Sequence, residues 1–572
     1  MDVTPLSSVI LVSVLCIITP RSHAEDDVIQ RVTVRTALGD VTGRVATVLN
    51  ATAHQFRGIP YAESPLKELR FKKPVPVRPW TTPLDATQFG PSCPQSAIGI
   101  SEDCLYLNIF VKASETAVPA SPRPVMVWIH GGGFVAGSGS SDGSLLAVRG
   151  DVVVVTINYR LGMLGWLSTL DQASPGNYGL WDQKMAIQFV RDNIAAFGGD
   201  PNQITIFGES AGGYSVGLHT ISPLNDGLFK RAIMESGSAL ARRTLALDPA
   251  GMAERFAEHL NCLKRTSTGF DTLYLIACAR NKTVDEILRA TSKASALKTL
   301  AWQLDVAPVV DGEIIPVDVR SLLGQEYHGR VPFWDIDVMI GTTNAEGSLV
   351  LGPLFQFQRQ LGFDLSHGVP DSVFCTNITT ALARDYFQGS KVVSDALCKE
   401  YSLQDGDEDQ GRQVVNLYGD MMFVSAAVET LELHTNNSQG GRSHYQYLFA
   451  HTPRTSSPPC PWFKGAGHGS EVSFVFGRPM LTSDPAEARL SLAMVDGWTN
   501  FAKFGSPNNP ESPDTFNWPQ YDLAQKSYTN LDLELTSQHD LYSQRMQFWA
   551  GMHEAKVGAT QTGENKGQGL IG

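Results

Sequence analysis

The sequence predicts an α/β protein with a large, mostly parallel central sheet flanked by helices. Two observations lead to this fold class. Unbroken apolar, β-branched runs recur along the chain, which is typical of strands buried on both faces; they lie at residues 123–129, 151–157, 204–207, 232–234, 338–340 and 445–450. Between them, apolar residues from Asp182 to Phe197 follow the spacing of a one-sided helix. Strands that alternate with helices are typical of layered α/β domains.

Composition supports a folded chain and excludes some partners. The chain has 572 residues, of which 42% are hydrophobic and 18% charged, a globular composition. The formal net charge of −13 argues against nucleic acid or an anionic membrane as the main partner. We expect residues 25–555 to form a single domain and the polar, Gly-rich residues 556–572 to be a disordered tail.

The first 24 residues are predicted to be a signal peptide. An apolar run at residues 9–18 is followed by a small-residue cleavage site, Ser22-His23-Ala24. A short membrane anchor is the alternative, but the run is short for a bilayer span. Because no later segment has a long apolar run free of charge, we expect a secreted protein without a transmembrane segment.

Cysteines and glycosylation signals agree with secretion. Cleavage removes Cys16 and leaves seven cysteines, so at least one is free or bonded to another chain. Cys93 with Cys104 and Cys262 with Cys278 are close in sequence and are candidates for disulfides. Sequons for N-glycosylation occur at four positions: Asn50, Asn281, Asn377 and Asn436.

Ser210 is the predicted nucleophile. Residues 208–212 (GESAG) directly follow the predicted strand 204–207 and precede a predicted helix. In that context a G-x-S-x-G motif forms a sharp turn that exposes the serine hydroxyl, and the start of the helix favours developing negative charge. A Gly-rich strand-to-helix turn without catalytic function is the alternative.

A second glycine-rich segment points to the same chemistry. Residues 130–134 (HGGGF) follow the strand 123–129 and lie upstream of the serine. Because the three glycines have no side chains, their N–H groups can bind an oxyanion together with the N–H of Ala211. A flexible turn is the alternative, and His130 itself is expected to be structural.

The general base and its acid follow in the order serine, acid, histidine. His468 lies in a loop of small residues (465–471), which can bring an imidazole to a site without blocking it. The same order also admits other histidines: His434, His444 and His451. For the acid, Glu346 lies in the loop after the predicted strand 338–340.

These motifs resemble the type-B carboxylesterase and cholinesterase family, from about residue 28 to residue 549. Six segments match in family order: 58–63 (GIPYAE), 101–108 (SEDCLYLN), 130–134 (HGGGF), 158–162 (NYRLG), 207–213 (FGESAGG) and 498–503 (WTNFAK). The resemblance implies the α/β-hydrolase fold and a two-step hydrolysis of carboxylic esters through an acyl-enzyme, without a metal or organic cofactor.

The resemblance also implies roles for particular residues. It implies a catalytic triad, Ser210, His468 and Glu346, and an oxyanion hole formed by Gly132, Gly133 and Ala211. It further implies that Glu209 is a buried acid that tunes the site, and that two disulfides form, Cys93–Cys104 and Cys262–Cys278.

Departures from cholinesterases affect the expected substrate. Residues 94–103 contain no aromatic residue, and Leu349 and Ser470 occupy positions that are aromatic in cholinesterases. Because a quaternary ammonium group binds aromatic faces, a general carboxylesterase with an aliphatic pocket fits better than a cholinesterase. The third family disulfide does not map, so one of Cys375, Cys398 and Cys460 is expected to be unpaired.

Three alternatives remain: a cholinesterase-like specialist, a lipase-like specialist, and a neuroligin-like adhesion module without activity. Such adhesion modules typically lose a triad residue, whereas all three are present here. The C-terminal helix with its cysteine, through which cholinesterases form disulfide-linked oligomers, is absent. Oligomers of that kind are therefore not expected, and no oligomeric state is predicted.

Overall fold

The computed structural model describes residues 30–114, 121–295, 300–301, 304–324, 327–403, 406–438, 440–512 and 516–552. The predicted signal peptide (1–24) and the predicted tail (556–572) lie outside the described residues. Among the described residues, no helix combines the length and the apolar character needed to cross a bilayer.

The strands are, in chain order, β1 (Arg31–Thr36), β2 (Gly39–Val48), β3 (Ala51–Pro60), β4 (Leu84–Asp85), β5 (Tyr106–Lys112), β6 (Arg123–Ile129), β7 (Val153–Ile157), β8 (Gly199–Glu209), β9 (Arg231–Glu235), β10 (Arg265–Thr266), β11 (Gly269–Phe270), β12 (Asp337–Thr343), β13 (His444–Phe449), β14 (Ser527–Leu531) and β15 (Thr536–His539). All belong to one 13-stranded sheet except β10 and β11, which pair with each other.

The sheet has the order β1-β2-β3-β5-β7-β6-β8-β9-β12-β13-β14-β15, with β4 beside β2. Its centre, from β7 through β6, β8, β9, β12 and β13 to β14, is parallel. Antiparallel strands lie at both edges. The mostly parallel α/β sheet predicted from the sequence is therefore confirmed.

The helices are α1 (Ser144–Gly150), α2 (Gly162–Trp166), α3 (Tyr178–Asn193), α4 (Ala211–Ile221), α5 (Pro249–His259), α6 (Thr272–Arg280), α7 (Val284–Ala294), α8 (Val319–Leu323), α9 (Leu351–Leu361), α10 (Asp371–Val373), α11 (Thr379–Tyr386), α12 (Lys391–Tyr401), α13 (Asp407–Gly419), α14 (Ser425–Asn437), α15 (Val472–Val475) and α16 (Pro485–Phe504). Two π-helical segments, Phe374–Ile378 and Asp420–Val424, interrupt them.

Helices cover both faces of the central strands. Along β6, Val127 packs into one hydrophobic cluster together with Val216 of α4, and Trp128 packs into the other together with Trp498 of α16. Successive side chains of a strand point to opposite faces. From Val125 to Ile129 the β6 sequence is continuously apolar because both faces of this part are buried.

The predicted helix 182–197 differs from the observed one. Helix α3 begins four residues earlier, at Tyr178, and a 3-10 segment, Ile194–Phe197, replaces its last turn. The first turn, Tyr178 to Trp181, contains Gly179, and glycine is a poor helix former, so the sequence pattern did not indicate this start. Asp182 is buried because it accepts hydrogen bonds from the backbone and side chain of Arg160.

Candidate active site

Ser210 lies in a strained turn between β8 and α4. Its φ of 56° and ψ of −120° are a conformation that residues with a Cβ rarely adopt. The N–H of Ser210 donates a hydrogen bond of 2.9 Å to the carbonyl of Glu235, at the end of β9. This turn lies at the edge where the carboxyl ends of the parallel strands meet, the usual place of sites in such sheets.

The glycines on either side of Ser210 are required by the close approach of β6. A Cβ on Gly208 would lie 2.5 Å from the carbonyl oxygen of Ile129, and a Cβ on Gly212 would lie 2.0 Å from the same atom. The G-x-S-x-G spacing therefore has a steric cause, because any side chain at either position would collide with backbone.

The glycine loop after β6 borders the same cavity as Ser210. Gly132 has φ 107° and Gly133 has φ 60°, and a Cβ on Gly132 would lie 2.2 Å from the carbonyl oxygen of Ala136. Gly132, Gly133 and Ser210 all line the cavity. Ala211, the first residue of α4, adds a helix N-terminus there, where N–H groups lack partners within the helix.

His130 is part of the scaffold of this loop. Its ring stacks on Tyr159 with centroids 4.3 Å apart, and burial lowers its pKa to about 4, so it is neutral. The Tyr159 hydroxyl donates to the His130 carbonyl (2.8 Å), and the N–H of Gly162 donates to the carbonyl of Phe134 (2.9 Å). Both ends of the glycine loop are thus fixed by one neighbouring segment.

Glu346 and His468 are in direct contact. The distance from His468 Nδ1 to Glu346 Oε2 is 2.5 Å, and Glu346 is 2% exposed. The other carboxylate oxygen accepts hydrogen bonds from the N–H of Thr343 (2.6 Å) and the hydroxyl of Ser236 (2.5 Å). The carboxylate is therefore held in one orientation by partners on both oxygens.

Two loops position His468. Asn344, after β12, accepts a hydrogen bond from the N–H of Ala466 with its side-chain oxygen (2.7 Å). The N–H of His468 donates to Ser348 Oγ (3.0 Å), and its ring tilts against Phe423 with centroids 4.6 Å apart. The small residues of 465–467 permit this close pairing of loops.

The other histidines that fit the triad order lie elsewhere. His434 Nδ1 is 2.8 Å from His444 Nδ1, and burial lowers the pKa of His434 to about 3. His451 Nε2 is 2.9 Å from the Oε1 of Glu487. Of the four candidates, His468 is the one that lines the cavity with Ser210.

Carboxylates control the charge of His468. Burial lowers the pKa of its imidazole, but the carboxylates of Glu209 and Glu346 outweigh this effect and raise the pKa above the ordinary value. The distance from His468 Nε2 to Glu209 Oε1 is 3.2 Å. Within the described part of the chain, Nε2 makes no hydrogen bond, so it has a free lone pair or proton for a reacting group.

The structure adds buried acids that the sequence analysis missed. Burial raises the pKa of Glu235 to about 8 and that of Glu471 well above its ordinary value. Burial also raises the pKa of Glu209, which the sequence analysis anticipated as a buried acid. Glu471 accepts from Ser236 Oγ at 3.3 Å, and Glu235 accepts from the indole of Trp498 at 2.8 Å. The signal available in the sequence was their position, because Glu235 ends β9 and Glu471 closely follows His468.

The cavity above Ser210 has a volume of about 720 Å³. Its lining comes from several loops: Gly132, Gly133, Val135, Glu209, Ser210, Tyr214, Arg243, Ser295, Leu304, Asp305, Val306, Leu349, Pro353, Gln356, Phe423, His468 and Gly469. No described residue of the 94–103 loop belongs to this set. Leu349 does, whereas Ser470 lines a neighbouring cavity. Two aromatic rings that the sequence analysis did not assign, Tyr214 and Phe423, lie in the wall.

Three disulfides are present among the described residues: Cys93–Cys104, Cys262–Cys278 and Cys375–Cys398. Two are the pairs that the sequence proposed, and the third joins two of the three cysteines that it left open. Cys460 is the unpaired one and is buried. Of the sequon asparagines, Asn50, Asn281 and Asn436 are exposed, and Asn377 is half-buried.

Comparison with known proteins identifies the class of this site. The sequence model of the carboxylesterase family matches residues 30–549. The medium-chain fatty acyl-CoA hydrolase precursor of Anas platyrhynchos is 35% identical over 91% of this chain and 92% of its own. Carboxylesterase 1D of Mus musculus is 34% identical over 90% and 92%, and bile salt-activated lipase of Bos taurus is 34% identical over 89% and 85%.

A serine turn, a glycine loop and a histidine–carboxylate pair around one cavity define a serine hydrolase of the α/β-hydrolase fold. The chain belongs to the carboxylesterase family. The class of reaction is therefore hydrolysis of carboxylic esters, as the sequence analysis predicted.

Proposed function

We propose that Ser210, His468 and Glu346 are the catalytic triad of this esterase, and that the N–H groups of Gly132, Gly133 and Ala211 bind the oxyanion. The contact of 2.5 Å between Glu346 and His468, beside the cavity of Ser210, carries this proposal. It fixes the proton on Nδ1, so that Nε2 is the basic nitrogen.

In the first step, Ser210 Oγ attacks the ester carbonyl carbon and His468 Nε2 takes the hydroxyl proton. The carbonyl oxygen becomes an oxyanion, which the backbone N–H groups of the glycine loop stabilise. His468 then gives its proton to the alkoxide oxygen. The carbon–oxygen bond of the ester breaks, the alcohol leaves, and the acyl group remains on Ser210.

In the second step, water replaces the alcohol. His468 Nε2 takes a proton from water, and the resulting hydroxide attacks the acyl carbon. Collapse of the second tetrahedral intermediate returns the proton to Ser210 Oγ and releases the carboxylic acid. Glu346 stays ionised throughout and stabilises the imidazolium in both steps.

We propose that the enzyme is a general carboxylesterase that acts on small esters. Leu349 in the wall, and the lack of an aromatic contribution from the 94–103 loop, support this scope over choline esters. A cation–π contact contributes about 0.5–2 kcal/mol, so weak turnover of acetylthiocholine is expected.

The test compares wild type with Ser210→Ala on 4-nitrophenyl butyrate, with titration by an organophosphate. Wild type should hydrolyse the ester and bind one equivalent of organophosphate, and Ser210→Ala should do neither. Ser267→Ala, an exposed serine in the turn between β10 and β11, is the control and should behave as wild type. An active Ser210→Ala protein would refute the assignment of the nucleophile.

We also propose that the protein is secreted after cleavage between Ala24 and Glu25. The three disulfides and the exposed sequon asparagines support an oxidising, glycosylating route. Expression in an insect or mammalian cell should yield a glycosylated protein in the medium that begins at Glu25. Retention in the membrane fraction with an intact N-terminus would instead support an anchor.

A further inference from the structure

A second cavity adjoins the catalytic cavity at His468. It has a volume of about 600 Å³ and is lined by residues from two segments, 348–349 and 452–470. His468 and Leu349 line both cavities, whereas Ser210 and the glycine loop line only the catalytic one. We call the second cavity the histidine-side cavity.

The histidine-side cavity has a positively charged lining. Arg454 and Lys464 belong to it, and the residues that the structure describes in this lining include no Asp or Glu. The chain as a whole has a formal net charge of −13, so the cavity is opposite in sign to the protein around it. An anion that enters this cavity therefore meets attraction in an otherwise repulsive molecule.

Both cations are accessible to a ligand. Lys464 is exposed. Arg454 Nε pairs with Asp484 Oδ2 at 2.7 Å, but 70% of the arginine side chain is exposed, and a guanidinium has five N–H donors. Thr452 and Ser457 add hydroxyl groups to the same lining. These are the donors that a carboxylate or phosphate binds.

The lysine is attached to the loop that carries the catalytic histidine. Only Gly465, Ala466 and Gly467 separate Lys464 from His468. This stretch is fixed, because the N–H of Ala466 donates to Asn344 Oδ1 (2.7 Å) and Gly467 forms a β-bridge with Ala345. The backbone at Lys464 is therefore held at a constant place relative to the imidazole.

The proposed mechanism indicates which part of an ester lies nearest this cavity. His468 Nε2 gives its proton to the leaving oxygen, so that oxygen must lie within hydrogen-bond distance of the imidazole. The acyl carbon is bound to Ser210, which does not line the histidine-side cavity. The alcohol part of the ester is thus the part that can extend past His468 into it.

We propose that the histidine-side cavity binds an anionic group, a carboxylate or a phosphate, that the leaving alcohol of the substrate carries. Guanidinium and ammonium groups bind both anions, the first through paired hydrogen bonds and the second as a point charge. This inference rests on the proposed function, because it assumes that His468 protonates the leaving oxygen. It adds a substrate class, esters of anionic alcohols, that the triad does not require.

The experiment compares esters with an anion on different sides of the reacting carbonyl. Phenyl butyrate, 4-carboxyphenyl butyrate and 4-(phosphonooxy)phenyl butyrate carry no anion, a carboxylate or a phosphate on the leaving side. 4-Nitrophenyl valerate and mono-4-nitrophenyl glutarate carry no anion or a carboxylate on the acyl side. The readout is kcat/KM for each anionic ester divided by that for its neutral partner, corrected by their rates of alkaline hydrolysis.

For wild type, the leaving-side ratio should exceed one for at least one anion, and the larger of the two ratios identifies the preferred anion. It should fall towards one in about 0.5 M NaCl, because salt screens exposed charges. Lys464→Met should lower it by about threefold, and Lys464→Met with Arg454→Met by about tenfold, since solvent weakens the attraction between exposed charges. The acyl-side ratio should stay within about twofold of wild type.

The matched control is Lys399→Met. Lys399 is an exposed lysine of α12 that lines neither cavity, so its substitution removes the same charge at another place. Both ratios should stay as in wild type.

The outcomes separate this inference from the proposed function. A wild-type leaving-side ratio at or below one for both anions overturns the anion site, and so does an unchanged ratio in the folded Lys464→Met and double variants. An equal loss of the leaving-side and acyl-side ratios overturns the assignment of the cavity to the leaving alcohol. In each of these cases hydrolysis of phenyl butyrate still supports the triad, whereas folded wild type that hydrolyses none of the five esters refutes the proposed function itself.

Discussion

Replacement of Glu346 by glutamine tests which ring nitrogen of His468 carries the proton. The carboxylate has two distinct sides. One oxygen accepts from Thr343 N–H (2.6 Å) and Ser236 Oγ (2.5 Å), and the other lies 2.5 Å from His468 Nδ1. In Glu346→Gln, the amide oxygen must take the side with two donors, because an NH₂ group there would face them. The NH₂ group then faces His468.

This orientation reverses the tautomer of the imidazole. An NH₂ group donates but cannot accept, so Nδ1 must become the acceptor and the proton must move to Nε2. A protonated Nε2 cannot take the proton of Ser210. The shape of the site is retained while the base is lost, and we expect kcat to fall by about 10⁴-fold.

The assay is steady-state hydrolysis of 4-nitrophenyl butyrate, with the free energy of unfolding measured in urea for each protein. Glu487→Gln is a matched control, because Glu487 is also a buried glutamate whose Oε1 contacts a histidine, His451 (2.9 Å), but outside the cavity. It should keep kcat within a few-fold of wild type. A folded Glu346→Gln protein whose kcat is also within tenfold of wild type would refute the triad.

Three further predictions concern the pH profile, the glycine loop and the free thiol. Because carboxylates raise the pKa of His468 above about 6.5, and the base must be neutral, kcat/KM for a neutral ester should fall at acidic pH with a midpoint above 6.5; a midpoint below 6 contradicts this. Gly132→Ala should lower kcat by about 100-fold or more in a folded protein, since the new Cβ would lie 2.2 Å from the Ala136 carbonyl oxygen, whereas Gly99→Ala, also at positive φ but in open space, should not. For the secreted protein without residues 1–24, mass spectrometry after maleimide treatment of unreduced, denatured protein should show one modified site, Cys460, and slow modification in the native state because the thiol is buried; several modified sites would contradict the disulfides.

The parts of the fold and site that the sequence predicted leave a pattern in a short segment of the chain. The strand core 125–129 was predictable because its two faces are both buried, and this leaves a continuous apolar run. Ser210 and its glycines were predictable because the collision of any Cβ with Ile129 restricts the sequence at fixed spacing. In each case the constrained residues lie close together in the sequence, so a pattern records the constraint.

The parts that the sequence did not predict depend on distant contacts. Glu471 and Glu235 are acids with ordinary sequence surroundings, and their role depends on burial around a histidine from another loop. Phe423 reaches the cavity from a π-helical segment that no apolar period indicates. Arg243 is adjacent to a second arginine, and only the fold shows which of the two lines the cavity.

One last prediction concerns how the scaffold holds the oxyanion loop. Tyr159→Phe keeps the stacking on His130 but removes the hydrogen bond of 2.8 Å to its carbonyl, while the hydrogen bond from Gly162 to Phe134 remains. An N–H donor of the oxyanion hole stabilises the transition state more than the bound ester. Its displacement should therefore lower kcat with little change in KM.

The matched control for this change is Tyr178→Phe. Tyr178 is also buried, with 1% of its surface exposed, and its hydroxyl also makes a hydrogen bond of 2.8 Å, to Ser174, but it does not line the cavity. Both variants lose one buried hydrogen bond, so both should lose about 1 kcal/mol of unfolding free energy. If kcat falls in both alike, the effect of Tyr159 is general destabilisation. If it falls only in Tyr159→Phe, by about tenfold, the hydrogen bond positions the oxyanion loop.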